Sequence, residues 1–148
     1  MPHLNIKTST TIHATPEVVY GAVTDFSSYS AWNVWIPNAK GECRVGSQVT
    51  THHKYFGKVK HQLIELSPPE RLRWDISGWQ RHFVNVTRDI AIFAGMEGNT
   101  LYMINITMTG PCARIAGYFL RGTIRRLMRE EVLSLKSYCE RTAGQETR

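Results

Sequence analysis

The stretch "GPCARIAGYFLRGTIRRLMREEVLSLKSYCERT", Gly110 to Thr142, decides the fold. Pro111 stands where a first helical turn tolerates a missing N–H. Ala116, Leu120, Ile124, Leu127 with Met128, Val132 and Leu135 then recur at helical spacing and form an inward stripe. About thirty helical residues span ~45 Å, enough to cross a whole sheet. Gly117 and Gly122 each cost about 1 kcal/mol relative to Ala inside such a helix, so the spacing predicts a kink or a close approach at both.

Upstream, from Pro37 to Thr109, the chain reads as six successive antiparallel strands. Turns are expected near Arg44–Gly46, at Gly57, at Ser67–Glu70, at Ser77–Gly78 and at Met96–Asn99. Alternation is clearest in "RLRWDIS", where Leu72, Trp74 and Ile76 share one face and Arg71, Arg73 and Asp75 take the other. The same rule groups His82, Val84 and Val86, and Tyr102, Ile104, Ile106 and Met108. The runs 81–93 and 100–109 are long enough to curve, which leaves a concavity on the inner face.

The N-terminal part supplies one more strand, "LNIKTSTTI" (Leu4 to Ile12), then a helix start in "ATPEVVYGAVTDF". Thr15 is the expected N-cap, Pro16 the first helical residue and Glu17 a first-turn acid, with Val18, Val19, Ala22 and Val23 on the apolar side. "DFSSYSAWNVWIP", Asp25 to Pro37, then sets Tyr29, Trp32 and Trp35 among residues of loop or broken helix.

The resulting class is α+β. Its order of elements resembles the START-like, or SRPBCC, superfamily and its helix-grip fold. The segments that carry the resemblance are "IHATPEVVYGAVTDFSSYSAWNVWIPNAKG", "RVGSQV", "LSPPERLRWD" and "GYFLRGTIRRLMREEVLSLKSYCE". They cover nearly the whole chain, 1–148, as a single domain, and are most similar to the polyketide cyclase/dehydrase and lipid-transport branch. The resemblance implies a curved antiparallel sheet of about seven strands around a long C-terminal helix, with two short helices between strands 1 and 2 and a cavity between sheet and last helix. Because such motifs mark caps, turns and packing contacts, they specify fold better than activity.

Such a cavity should combine an apolar lining with a few polar points. The candidates are Trp32, Trp35, Trp74, His82, Tyr102, Met108, Leu120, Ile124 and Met128, joined by His53 and Tyr55 if the strand 49–56 turns that face inward. Each Leu, Ile or Met on the helix stripe is equally at home in ordinary core, and the two tryptophans of the loop either line a cavity or plug the core. The expected function is binding, and transport in one version, of a small hydrophobic ligand such as a lipid, isoprenoid or aromatic polyketide. The alternative is a polyketide cyclase or dehydratase working in the same cavity by general acid–base catalysis, with His82, His53, Tyr55 or Tyr102 as its acids and bases. The residue pattern does not choose between binder and enzyme.

Other chemistries find no support. GxSxG, HExxH, P-loop and GxGxxG motifs are missing. Glu17, Asp75 and Asp89 do not form a carboxylate dyad. His52 and His53 point to opposite faces of a strand, and Cys43, Cys112 and Cys139 follow no ligand spacing, so neither a metal nor a cofactor is expected. The opening "MPHLNIKTST" has no apolar signal region, and no window has the roughly 18 apolar residues of a membrane span, which reads as a cytoplasmic protein.

A net charge of +6 permits attraction to anionic partners. Arg121, Arg125 and Arg129 fall four apart on one side of the last helix, extended by Arg114 and Arg126. This is either a solvated face balanced by Glu130 and Glu131 or an interaction surface for anionic membrane. Nucleic acid is not expected, since the aromatics lie in a different segment and no stacking surface accompanies the charge.

Overall fold

A computed structural model describes residues 4–76 and 82–146 of the chain. β1 (Leu4–Ile12) leads into α1 (Pro16–Thr24), a 3-10 turn (Phe26–Ser28) and the single-turn α2 (Tyr29–Trp32). There follow β2 (Asn38–Lys40), β3 (Gln48–His53), β4 (Gly57–Ser67), β5 (Arg71–Ile76), β6 (Asn85–Ala94), a 3-10 turn (Met96–Gly98), β7 (Thr100–Thr109) and α3 (Ala113–Glu146). The strands form one sheet in the order β1-β7-β6-β5-β4-β3-β2. Every neighbouring pair is antiparallel, and a register shift between Leu63 and Glu65 marks a bulge on β4. This is the α+β helix-grip fold: an open seven-stranded sheet holding one long helix.

Local chemistry accounts for the elements. The Thr15 hydroxyl accepts from the Val18 amide at 3.4 Å and Pro16 opens α1, as the cap signals predict. Asp25 then caps the following 3-10 turn, its carboxylate accepting from the Ser27 amide at 3.2 Å. Leu72 and Trp74 are buried while Ile76 is half-buried, and Asp75 accepts from the Thr87 hydroxyl at 2.6 Å across the outer face. On the same outer surface Asp89 takes Arg71 at 3.1 Å and Arg73 at 2.8 Å, which makes it a sheet-surface ion pair rather than a cavity base.

α3 runs for 34 residues, about 51 Å. Ile124, Leu127, Met128, Val132 and Leu135 of the inward stripe are buried, and Cys139 extends it. The two glycines separate: a Cβ on Gly117 would lie 3.3 Å from Leu4 Cβ, a true close approach to β1, whereas one on Gly122 would meet nothing within 4 Å. No close approach therefore exists at Gly122, which lies on the outer face of the helix.

The strand expected over 81–93 begins at Asn85, because His82 and Phe83 form a turn. The Phe83 carbonyl accepts from Cys112 N–H at 2.9 Å. Gly110, at φ 110°, permits that contact, since a Cβ there would lie 2.8 Å from the same oxygen. The expected turn at Ser77–Gly78 lies outside the described residues. Cys43, Cys112 and Cys139 are free thiols, and no described helix is long and apolar enough to cross a membrane.

Candidate functional site

Sheet and helix do not close on each other along their whole length. Between them lies a cavity of about 410 Å³, within the size range of small-molecule pockets. Alternation aims its walls: Thr51 and His53 come from β3, Val59 and His61 from β4, Trp74 and Ile76 from β5, Val86 and Arg88 from β6 (with Val84 just before it), and Ile106 and Met108 from β7. α3 supplies Ala116, Leu120, Ile124, Leu127, Met128 and Glu131, while Trp35, Ile36 and Phe56 come from loops. Most of this surface is aliphatic or aromatic.

Its polar groups form one connected arrangement. The Arg88 guanidinium donates to Glu131 Oε1, joining β6 to α3. The same oxygen accepts from Asn33 Nδ2 at 2.9 Å. Asn33 Oδ1 in turn accepts from the amides of Trp35 (3.1 Å) and Ile36 (2.8 Å), which fixes the loop carrying the Trp35 indole. Arg88 lies over the Trp74 ring at 5.6 Å, and His61 stacks on that ring at 5.2 Å. Burial works against the Arg88 charge, but Glu131, with Tyr102 and Tyr29 adding to it, outweighs burial and holds the pKa above the ordinary value.

The two histidines have assignable protonation. The Thr51 hydroxyl donates to Val59 O (3.3 Å) and so accepts from His61 Nε2 (3.0 Å). Burial, with Arg88 and His53 adding to it, pushes the His61 pKa down to about 4. At neutral pH His61 is uncharged, its proton sits on Nε2 and its Nδ1 is an acceptor. His53 Nδ1 accepts from the amides of Tyr55 (3.0 Å) and Phe56 (3.3 Å), so its proton sits on Nε2. Burial lowers the His53 pKa as well.

Four buried polar atoms of lining residues have no hydrogen-bond partner among the described residues: Trp35 Nε1, Trp74 Nε1, Arg88 Nε and His61 Nδ1. Three are donors and one is an acceptor. Leaving such a group unsatisfied costs about 1–3 kcal/mol, and the surrounding side chains seal all four atoms from water.

Of the residues singled out in the sequence, Trp35, His53, Trp74, Met108, Leu120, Ile124 and Met128 line the cavity. Trp32 does not. It is buried, packs against Tyr29 at 4.9 Å, and donates from Nε1 to Ser28 Oγ at 3.1 Å. Tyr55 is exposed on the β3–β4 turn, 5.2 Å from the Trp35 ring, because the strand ends at His53. His82 is exposed because its segment turns before β6 starts. Tyr102 is fully buried on β7 beside Arg88, outside the lining; burial, with Glu131 adding and Arg88 opposing, raises its pKa.

Arg121, Arg125 and Arg129 are exposed, but their expected acidic balance is halved: Glu131 is buried and committed to Arg88. Sequence reasoning missed Asn33, His61, Arg88 and Glu131. For His61, Arg88 and Glu131 the signal was present, since alternation places the first two in line with Leu63 and with Val86 and Ile90, and helical spacing places Glu131 between Leu127 and Leu135. No group of three His, Cys, Asp or Glu among the described residues is placed to hold a metal.

The sequence matches the family model described as polyketide cyclase / dehydrase and lipid transport over residues 3–140. The chain belongs to that family. No curated protein matches the sequence. Among solved structures, a hypothetical protein from Helicobacter pylori superposes with a TM-score of 0.78 at 10% identity, covering 93% of this chain and 89% of that one. The Zhui aromatase/cyclase from Streptomyces sp. R1128 gives 0.77 at 14% identity over 93% and 94% of the two chains. Aha1 from Colwellia psychrerythraea, solved as a dimer, gives 0.74 at 19% identity over 93% and 96%. At such identities the likeness is one of fold, and this family member's own cavity must carry the functional argument.

Proposed function

We propose that this family member binds a small, largely apolar molecule bearing carbonyl and hydroxyl oxygens in the cavity between sheet and α3. The observation that carries this reading is the cavity of about 410 Å³ itself, whose mostly apolar lining includes the polar residues Arg88, Glu131, His53, His61 and Thr51. Among the lining residues Arg88 and His53 carry N–H donors that suit ligand oxygens, and Glu131, Thr51 and His61 carry acceptors that suit a ligand hydroxyl. A hydroxylated aromatic ketone or an oxygenated isoprenoid meets both demands. Apolar burial supplies most of the affinity, at roughly 25 cal/mol per Å² before the costs of association, and the polar atoms fix the orientation.

Cyclase or dehydratase action in the same cavity is the second reading. Dehydration needs a base for the proton next to a carbonyl and an acid for the departing hydroxyl. His53 Nε2–H can donate. His61 Nδ1 can accept, but a pKa of about 4 makes it a weak base at neutral pH, which favours binding as the primary role.

Native mass spectrometry of protein purified from its own host, followed by denaturing extraction, tests the proposal. A stoichiometric adduct with carbonyl and hydroxyl groups supports it, and loss of water from that adduct on incubation adds the enzymatic reading. A protein that binds no member of a panel of hydroxylated aromatic ketones and isoprenoids, or binds them equally after R88M and H61F substitution, refutes it.

A further inference from the structure

Beyond the cavity, the outer face of the first half of α3 has an unusual composition. Ile115, Tyr118 and Phe119 are 64%, 83% and 72% exposed. Large apolar side chains grouped this way on a surface mark an interaction site. Tyr118 and Phe119 meet edge to face at 5.2 Å. From Ala113 to Arg129 the helix carries five arginines and no acidic residue. Arg114, Arg121, Arg125 and Arg129 are all exposed, and none forms an ion pair among the described residues.

We propose that this face docks on an anionic lipid bilayer. At 3.6 residues per turn, Ile115, Tyr118, Arg125 and Arg129 share one side of the helix. Aromatic and aliphatic groups there would enter the headgroup region while the arginines meet lipid phosphates, the composition of an interfacial helix. The face is the convex outside of a helix with protruding side chains. A bilayer accommodates that shape without a complementary groove, which favours lipid over a folded protein partner. The cavity-lining residues Ala116, Leu120 and Ile124 lie on the opposite side of the same helix. Docking by this face therefore lays α3 between the bilayer and the cavity. The inference does not depend on what the cavity binds, since empty protein should dock equally.

Flotation with phosphatidylcholine vesicles, with and without phosphatidylglycerol, is the test. The full chain should float with the anionic vesicles, and added salt should release it. R121Q/R125Q should weaken partition roughly 25-fold, about fivefold per arginine lost, while R121K/R125K should retain it. Y118S/F119S should weaken it at least about tenfold by removing the inserted apolar area. Circular dichroism confirms that these exposed substitutions leave the chain folded. Absence of flotation at low salt, or partition unchanged in both the R121Q/R125Q and Y118S/F119S variants, overturns the proposal. So does a dimer that Y118S/F119S dissolves, which would make a second copy the occupant, or binding of the face to an acidic carrier protein with none to vesicles.

Discussion

Glu131→Ala isolates the energetics of the charged pair in the cavity wall. Both side chains are nearly buried, at 10% exposure for Arg88 and 6% for Glu131. Removing one partner leaves a buried guanidinium without its counter-charge, a change that costs about 3–5 kcal/mol. It also deprives Asn33 Nδ2 of its acceptor and loosens the loop bearing Trp35. For a chain of this length such a loss lowers Tm by roughly 10–20 °C. The double variant R88M/E131L should behave differently. With both charges replaced by apolar groups of similar length, the main remaining deficit is the unpaired Asn33 amide, about 1–2 kcal/mol. Urea unfolding followed by circular dichroism should therefore place the double variant about 2 kcal/mol above E131A, while ligand binding is lost in both. A double variant as unstable as E131A would refute the reasoning, because the charges would then be stabilising in themselves.

The buried imidazole makes stability depend on pH. Unfolded His61 gains a proton as pH falls through its ordinary value of 6.5, whereas the folded form stays neutral down to about 4. The unfolded state thus binds the extra proton in this window, and stability should fall by up to about 3 kcal/mol between those limits. The lowered His53 pKa adds in the same direction. H61Q should flatten the profile; a stability that is level from neutral pH to pH 5 in the native chain would show that His61 is not buried as described. On α3, G122A should stabilise by about 0.5–1 kcal/mol in thermal melts, since its Cβ meets nothing and helix propensity gains. G117V should destabilise by about 1–3 kcal/mol, because its side chain must push Leu4 and β1 away; equal effects at the two glycines would contradict the packing. T15A should cost about 1 kcal/mol through the lost α1 cap, read as a shifted urea midpoint with an unchanged slope.

Short-range physics made much of this protein legible from its residues. The stripe from Ala116 to Leu135 requires one buried side of one long helix, Thr15-Pro16-Glu17 requires a helix start, and Leu72 and Trp74 require an inward face on their strand. These signals repeat within a few residues, so no distant contact is needed to read them. Tertiary structure alone decided that Trp35 faces the cavity while Trp32, three residues earlier, fills the core, because one follows the loop pinned by Asn33 and the other ends α2. It also decided the partner of Glu131. Helical spacing already sets that residue on the inward stripe, four residues from both Leu127 and Leu135, but only the approach of β6, 43 residues away in sequence, brings Arg88 to meet it. A charge at an inward position carries no local mark of what will neutralise it; the partner is chosen by where sheet and helix meet, and there the cavity and its polar groups come into being.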